Sequence, residues 1–238
     1  MCGRFVSTAT PDQVVQRFQV DESRVGDHAP DYNVAPRERI YAVRDRSSGE
    51  GKRRFLDLLR WGLVPSWAED PGVGDRMINA RAESIVEKPA YRKAFGKRRC
   101  IVPADGFYEW QRREGRKQPT YVHRADGEML AFAGLWEAWR NPLSEASDDP
   151  WLRSCVIVTT KANALVAPIH DRMPVVLGES AWSTWLDPEN HDLDALRALL
   201  EPPPSEWFDT YPVSTLVNKP VHNGPELLEP VDVAVDDS

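Results

Sequence analysis

Cysteine is scarce in this chain of 238 residues, which carries only Cys2, Cys100 and Cys155. An odd number without metal-ligand spacing argues against a disulfide framework and against a zinc site, and fits a reducing compartment that keeps Cys2 free. Long apolar runs are missing too. No stretch approaches the roughly 20 residues of a membrane span, and the N-terminus lacks a basic then apolar leader, so the expectation is a soluble cytoplasmic protein without a membrane partner. Patterns for phosphate loops, dinucleotide folds, zinc proteases and serine hydrolases are absent (GxGxxG, HExxH and GxSxG among them), which removes support for those activities and for a bound cofactor. Neither an internal repeat nor a linker divides the sequence, and 41% apolar content suffices for one substantial core. The expected organisation is one domain over 1–225 with an acidic, flexible tail over 226–238, as a monomer.

Positive charge is in short supply overall, with a net charge of −7. Its distribution is uneven. Residues 76–124 hold 13 Lys and Arg against 5 Asp and Glu, whereas residues 125–238 hold 6 against 20. A basic middle in an acidic protein is compatible with a face that binds phosphates.

The most informative stretch is the start, Met1-Cys2-Gly3-Arg4-Phe5. Cys is small enough for the initiator Met to be trimmed, which leaves an α-amine and a thiol on one carbon skeleton. With pKa values near about 8 and about 8.5, a usable minority of each is nucleophilic at neutral pH. Such a 1,2-aminothiol condenses with an aldehyde, the amine giving an imine and the sulfur closing a five-membered thiazolidine. The structural alternative is a small apolar residue opening a buried strand.

Further on, Thr10-Pro11-Asp12-Gln13 has the pattern of a capping box with Pro at the first helical position. Asp31 to Pro36 has no periodicity and predicts an extended loop, followed by a hairpin of Arg39–Arg44 with Phe55–Leu59. Arg60-Trp61-Gly62-Leu63-Val64-Pro65-Ser66-Trp67 predicts a rigid aromatic loop or a strand end. A short helix over Pro89–Phe95 precedes the run Cys100 to Pro103. In Phe107-Tyr108-Glu109-Trp110-Gln111 the period of two sets Phe107, Glu109 and Gln111 on one face and Tyr108 and Trp110 on the other. Strands over Gln118–His123 and Met129–Leu135 complete an expected meander, and Ser154–Thr160 predicts a central strand. A helix over Ala162–Val166, an irregular bend over Ala167–Pro174, a strand Val175–Leu177, helices over Glu179–Leu186 and Leu193–Leu200, and a strand Phe208–Val213 complete the expectations.

Four kinds of polar residue are candidates to converge on Cys2. Glu109, flanked by aromatics, is placed to have a raised pKa and trade protons with an amine or imine. His170 lies in a Pro-flanked bend and suits a positioned acid near neutral pH. Asn79 offers a donor and an acceptor, and Arg81 and Arg172 offer forked donors for phosphate. Trp67 and Trp110 are candidates to stack on unpaired bases, at about 1 to 3 kcal/mol each. Each has a plainer alternative: an exposed carboxylate, a histidine bonded to a nearby carbonyl, a solvated charge, a core tryptophan.

Taken together, Met1 to Phe5, Asn33-Val34-Ala35-Pro36, Arg60 to Trp67, Asn79-Ala80-Arg81-Ala82-Glu83, Arg99 to Trp110 and His170-Asp171-Arg172-Met173-Pro174 resemble, in order, the SRAP family of SOS-response and abasic-site processing proteins. The resemblance implies an α+β, β-rich fold whose antiparallel sheets form a distorted barrel flanked by short helices. It implies a partner, single-stranded DNA containing abasic sites, to which the mature Cys2 attaches covalently through a thiazolidine. By carry-over Asn79 holds the Cys2 end and the opened sugar, Glu109 is the acid and base, and His170 assists ring opening. Arg4, Arg81 and Arg172 meet backbone phosphates, while Trp67 and Trp110 stack on bases. Lyase activity, peptidase-type removal of Met1, a role in DNA repair and placement at the nucleoid when bound are implied as well. The acidic C-terminal half departs from what DNA binding favours. Two other readings stand beside this one: an N-terminal-nucleophile amidohydrolase of the glutamine amidotransferase type, and a non-covalent binding module for single strands.

Overall fold

The structure, a computed structural model, describes residues 2–48, 51–113, 116–142 and 149–232. It opens with β1 (Phe5–Ser7) and α1 (Pro11–Phe18). There follow β2 (Glu22–Ser23), β3 (Asp31–Val34), β4 (Arg39–Ser48), β5 (Gly51–Trp61) and β6 (Asn79–Arg81). The middle of the chain supplies α2 (Pro89–Lys97), β7 (Arg99–Ala104), β8 (Gly106–Arg113), β9 (Arg116–Arg124) and β10 (Leu130–Arg140). The last third supplies β11 (Trp151–Lys161), β12 (Arg172–Pro174), α3 (Trp182–Leu186), α4 (Leu193–Ala198) and β13 (Phe208–Pro212).

Strands β11, β10, β7, β4 and β5 pair in that order, and a short parallel pairing of β11 with β5 at Ser154–Arg60 and Cys155–Trp61 closes them into a five-stranded barrel. The closed, β-rich α+β architecture expected above is the one observed. Alternation along the strands decides what fills it. Ile40, Ala42, Leu59, Trp61, Cys100, Val102, Phe132, Cys155 and Ile157 form the inner cluster, all buried. Their neighbours Tyr41, Val43, Ile101, Ala133, Leu135, Val156 and Val158 point outward and are covered by the short helices. Phe18 of α1, for instance, packs at 4.7 Å and a 33° tilt against the Trp182 ring of α3, and burying such a ring is worth about 1.5–3 kcal/mol. The helix that carries it starts where the capping box predicts, with Thr10 accepting from the Gln13 N–H and the Gln13 side chain accepting from the Thr10 N–H.

A second, wholly antiparallel sheet of order β13-β9-β8-β1-β3 lies over one end of this barrel. Phe5, Val34, Phe107 and Val122 on its inner face join the barrel's inner cluster, and Phe5 packs edge-on against Trp61 at 5.2 Å. Its outer face, with Val6, Tyr108, Tyr121, Trp110 and Tyr211, lies under Val213, Val217 and Leu227 of the C-terminal segment. The opposed faces read from the period of two in 107–111 are therefore the two faces of β8.

Several elements differ from expectation. Asp31–Val34 is a strand because β1 offers it an antiparallel partner, Phe5 against Val34 and Ser7 against Asp31. The meander breaks after β9: β10 leaves for the barrel and pairs with β7 and β11. Residues 164–169 form turns in place of the helix expected over Ala162–Val166, since Asn163 turns its side chain back to accept from the Val166 N–H. The strand expected at Val175–Leu177 starts earlier, with β12 at Arg172–Pro174, and Val175–Leu177 continues it as an antiparallel bridge of Val176 to Phe132 of β10. Residues 226–232, expected to fray, carry the buried Leu227 and a bridge from Pro230 to Val213. Residues 49–50, 114–115, 143–148 and, of the expected tail, 233–238 lie outside the described residues.

The aromatic loop after β5 is rigid for a local reason. Gly62 has φ of 120°, and a Cβ there would sit 2.6 Å from the Gly74 carbonyl oxygen, so only glycine fits both the conformation and the approach. Behind it the Trp61 indole donates to the Ile78 carbonyl at 2.9 Å. That bond fixes the residue next to Asn79.

Candidate active site at the N-terminal cysteine

Cys2 precedes β1, where the strand meets both the barrel end and the second sheet, and it is fully buried. Three elements close around it. Asn79 begins β6, which runs parallel to β11 with Asn79 level with Ile157, and its Nδ2 donates to the Cys2 carbonyl at 2.8 Å. Its Oδ1 is also buried and accepts no hydrogen bond among the described residues. A buried acceptor in that state is costly unless something fills it, by about 1–3 kcal/mol.

Strand β8 brings Glu109. Phe107 pairs with Phe5 and the Tyr108 N–H donates to the Arg4 carbonyl at 3.0 Å, so the same register one step on sets Glu109 opposite Gly3. Glu109 is 1% exposed, and burial pushes its carboxyl up to about 7. The nearby charge of Asp171 adds to that rise. The Cys2 thiol is pushed up as well, first by burial and next by the charge of Glu109, so it rests as the protonated thiol.

The third element is the bend that ends in His170 and Asp171. The Gln111 amide of β8 donates to the Pro168 carbonyl at 3.1 Å and ties the bend to the strand that carries Glu109. The Arg172 backbone N–H donates to His170 Nδ1 at 2.9 Å, which leaves the proton of the neutral ring on Nε2. Asp171 Oδ1 lies 2.9 Å from the same Nδ1. One nitrogen cannot serve both partners. The amide holds the neutral ring, and the exposed carboxylate gains a proton to share only when the imidazole charges. Burial lowers the His170 pKa, which favours the neutral form.

The expected DNA-contacting residues separate into two groups. Trp67 is 66% exposed, and Arg81, two residues beyond Asn79 on the same side of β6, is exposed. Both project into solvent. Arg172 and Arg4 are instead committed to protein partners. Arg172 is buried and grips Glu83 with both terminal nitrogens, at 2.5 and 2.9 Å, while donating to the Thr159 carbonyl at 2.7 Å. Arg4 donates to Asn33 Oδ1 at 2.8 Å and to the Val217 carbonyl at 2.9 Å. Trp110 is partly buried, its indole donating to Asn218 at 2.6 Å. Of these five expected contact residues, Trp67 and Arg81 are the two whose side chains face solvent.

Sequence reasoning missed Asn33 as a hub. Its Nδ2 faces the carbonyls of Val217, Lys219 and His222, pinning the C-terminal segment to β3 beside Arg4. The signal was Asn33-Val34-Ala35-Pro36, a polar residue in an otherwise apolar stretch, and only the long-range partners reveal its use. Asp171 was also passed over as a charge acting on Glu109. Among the described residues no cluster of His, Cys, Asp and Glu is arranged to hold a metal ion, and no helix is long and apolar enough to cross a membrane.

A buried cysteine at the second position of a β-rich fold, held by an asparagine and with a carboxyl of raised pKa beside it, is the feature on which these three elements meet. Residues 1–220 match the family model described as SOS response associated peptidase (SRAP), and the chain belongs to that family. It is 43% identical over 231 residues to the abasic site processing protein YoqW of Bacillus subtilis, an alignment covering 96% of this chain and 99% of that one. It is 32% identical to the abasic site processing protein HMCES of Xenopus tropicalis, covering 96% of this chain and 78% of the relative. A crystal structure of a protein from Bacteroides thetaiotaomicron superimposes with a TM-score of 0.83 at 26% identity, over 97% of this chain and all of that one.

Proposed function

We propose that this protein processes abasic sites in single-stranded DNA by attaching to them covalently through Cys2, once Met1 has been removed. The observation that carries the reading is the pairing of Cys2, held through its carbonyl by Asn79, with a carboxyl buried beside it whose pKa lies at about 7. The relatives named abasic site processing proteins support the substrate.

The chemistry follows from the protonation states. A buried thiol with a raised pKa is a poor first nucleophile, so the freed α-amine attacks first, at the C1′ aldehyde of the ring-opened sugar. The carbinolamine loses its hydroxyl as water, with Glu109 in its protonated form supplying the proton, and a protonated imine results. Glu109, now a carboxylate, takes the thiol proton as sulfur adds to the iminium carbon, which leaves the ring nitrogen neutral with its own proton and restores the acid form of Glu109. One water leaves and a thiazolidine closes. A carboxyl with pKa near the working pH serves both steps, because both forms are populated. His170, neutral with its proton on Nε2, protonates the ring oxygen as the sugar opens, a role supported by the Arg172 N–H bond to its Nδ1. Asn79 Oδ1 accepts from a hydroxyl of the opened sugar. Arg81 and Trp67 meet a phosphate and a base. From the imine, loss of the C2′ proton with expulsion of the 3′ phosphate gives the lyase branch, and the same carboxyl beside Cys2 supports hydrolysis of the bond that joins Met1 to it. The reading carries with it a role in DNA repair and a cytoplasmic, nucleoid-associated monomer.

Intact-mass measurement tests it. The mature protein mixed with an oligonucleotide carrying one abasic site gives a species at the protein mass plus the DNA mass minus one water. Cys2→Ala gives none, and a tag left in front of Cys2 blocks attachment without weakening binding to undamaged strands. An adduct that survives either change refutes the aminothiol mechanism.

A further inference from the structure

The wall of the barrel has a gap. Strand β5 pairs with β2 at Phe55 and Leu56 and with β11 at Arg60 and Trp61, and between those pairings the edge at Asp57 and Leu58 has no strand beside it among the described residues. A cleft of about 850 Å³ opens there. Six arginines line it, Arg24, Arg37, Arg39, Arg46, Arg60 and Arg153, against two carboxylates, Asp57 and Asp149. In an acidic protein this is a concentrated excess of positive charge.

The carboxylates present do not neutralise it. Asp57 is taken by Arg44, which is fully buried behind the cleft and bonds it through Nε at 2.9 Å and Nη2 at 2.5 Å. Asp149 is taken by Arg153 at 2.7 Å. Arg37 and Arg60 share Asp75, and Arg24 shares Glu22 with Arg53. Arg44 Nη1 and Arg46 Nε are buried and have no hydrogen-bond acceptor among the described residues. Arg46 is held below the usual arginine pKa by burial first and then by the like charge of Arg44, with Arg24 and Arg153 adding to it, which places these cations close together. Crowded, incompletely accepted guanidinium groups of this kind are stabilised by a ligand with several anionic oxygens. At the rim Trp151 is 44% exposed.

The cleft is also linked to the site at Cys2 through the end of β5. Arg60 precedes Trp61, whose indole holds the Ile78 carbonyl next to Asn79, and the Arg37 N–H donates to the Trp61 carbonyl at 2.8 Å. We propose that this arginine-lined cleft is a second nucleic-acid site, taking the phosphodiester backbone of single-stranded DNA that flanks the nucleotide held at Cys2, with Trp151 stacking on a base. The choice of a strand over a free nucleotide rests on the reading of Cys2 as a DNA site. The cation cluster and its unmet donors stand without it.

Undamaged oligonucleotides separate the two claims. Binding to strands of about 6 and about 20 nucleotides is measured by fluorescence anisotropy across a salt series for the wild type, Arg24→Gln/Arg39→Gln/Arg46→Gln, and the exposed pair Arg24→Gln/Arg39→Gln. For the long strand, each lost phosphate contact lowers the slope of log affinity against log salt by about 0.7. The triple variant is expected to lose about 2 in slope and on the order of tenfold in affinity, and the pair about 1.4 in slope. The short strand binds all three alike, and attachment to a short abasic oligonucleotide is unchanged. The pair guards against misfolding of the partly buried Arg46 substitution. Equal long-strand slopes in all three proteins overturn the proposal. So does tight binding of a nucleoside triphosphate or of polyglutamate that the variants lose while their strand binding stays intact. Attachment to the short abasic strand fails only if the reading of Cys2 is wrong.

Discussion

Glu109 differs from the chain's other carboxylates in its surroundings alone. It is an ordinary alternating position of β8, but the inner face of β8 points at the barrel end, and there water is excluded. Desolvation penalises the charged form, so the group titrates at about 7 rather than near its ordinary 4.5. If it both donates to the departing hydroxyl and accepts from the thiol, the attachment rate at an abasic site passes through a maximum near that pH. Glu109→Gln keeps the shape and removes the titration. Rapid-quench measurement of adduct formation from pH 5 to 9 is expected to show a fall of about 10²–10⁴ at neutral pH and no inflection near 7 in the variant. A variant with the wild-type profile would remove Glu109 from the mechanism.

At the scale of elements, the placement of Glu109 depends on how closely β8 lies against β9. Gly106 starts β8, and a Cβ there would meet the Tyr121 ring at 2.4 Å, a buried ring packed against Tyr108, His123 and Tyr211. Gly106→Ala is expected to cost about 1–3 kcal/mol by overpacking. Because the displaced strand carries Glu109 three residues on, attachment slows as well. Gly96, in α2 with nothing within 4 Å of its Cβ position, is the control: Gly96→Ala gains up to about 1 kcal/mol from helix propensity and leaves attachment alone. Thermal melts and adduct rates on the pair decide it, and equal behaviour of the two variants would refute the argument. The same elements show what could be read in advance. Capping and alternation act over a few residues, so α1 and the two faces of β8 were legible. Asn79 and Glu109 were legible as members of short motifs. The strand at Asp31–Val34 was not, because it exists only for its partner β1, and neither was the departure of β10 from its neighbour β9, since both hairpin strands have the same local pattern. Arg4 and Arg172 were read as free donors because their partners, Asn33, Val217, Glu83 and Thr159, lie 13 to 213 residues away.

For the whole molecule, the buried carboxyl sets a cost against pH. The folded state holds the Glu109 proton up to about 7, whereas the unfolded chain releases it near 4.5. Between those values only the unfolded state gains by ionising, so stability falls as pH rises from about 4.5 to 7 and levels off above. The full difference is about 3 kcal/mol. Carboxylates held low by arginines act the other way. Glu83 beside Arg172 and Asp126 beside Arg124 contribute stability that is present above the ordinary carboxylate pKa and lost on acidification, though in solvent that contribution is small. His170, its pKa lowered by burial, favours the folded state more as pH rises past its folded value, and opposes Glu109 in part. These other groups are common to the wild type and Glu109→Gln, so the difference between the two proteins isolates Glu109. Urea unfolding at pH 5 and pH 8 is expected to show the wild type losing stability relative to the variant by on the order of 2 kcal/mol over that interval. The same substitution that slows attachment thus makes the protein comparatively more stable at pH 8, because the proton the reaction needs is one the fold would rather keep. If the two proteins track each other from pH 5 to 8, Glu109 titrates at its ordinary value, and the account of its proton transfers falls with it.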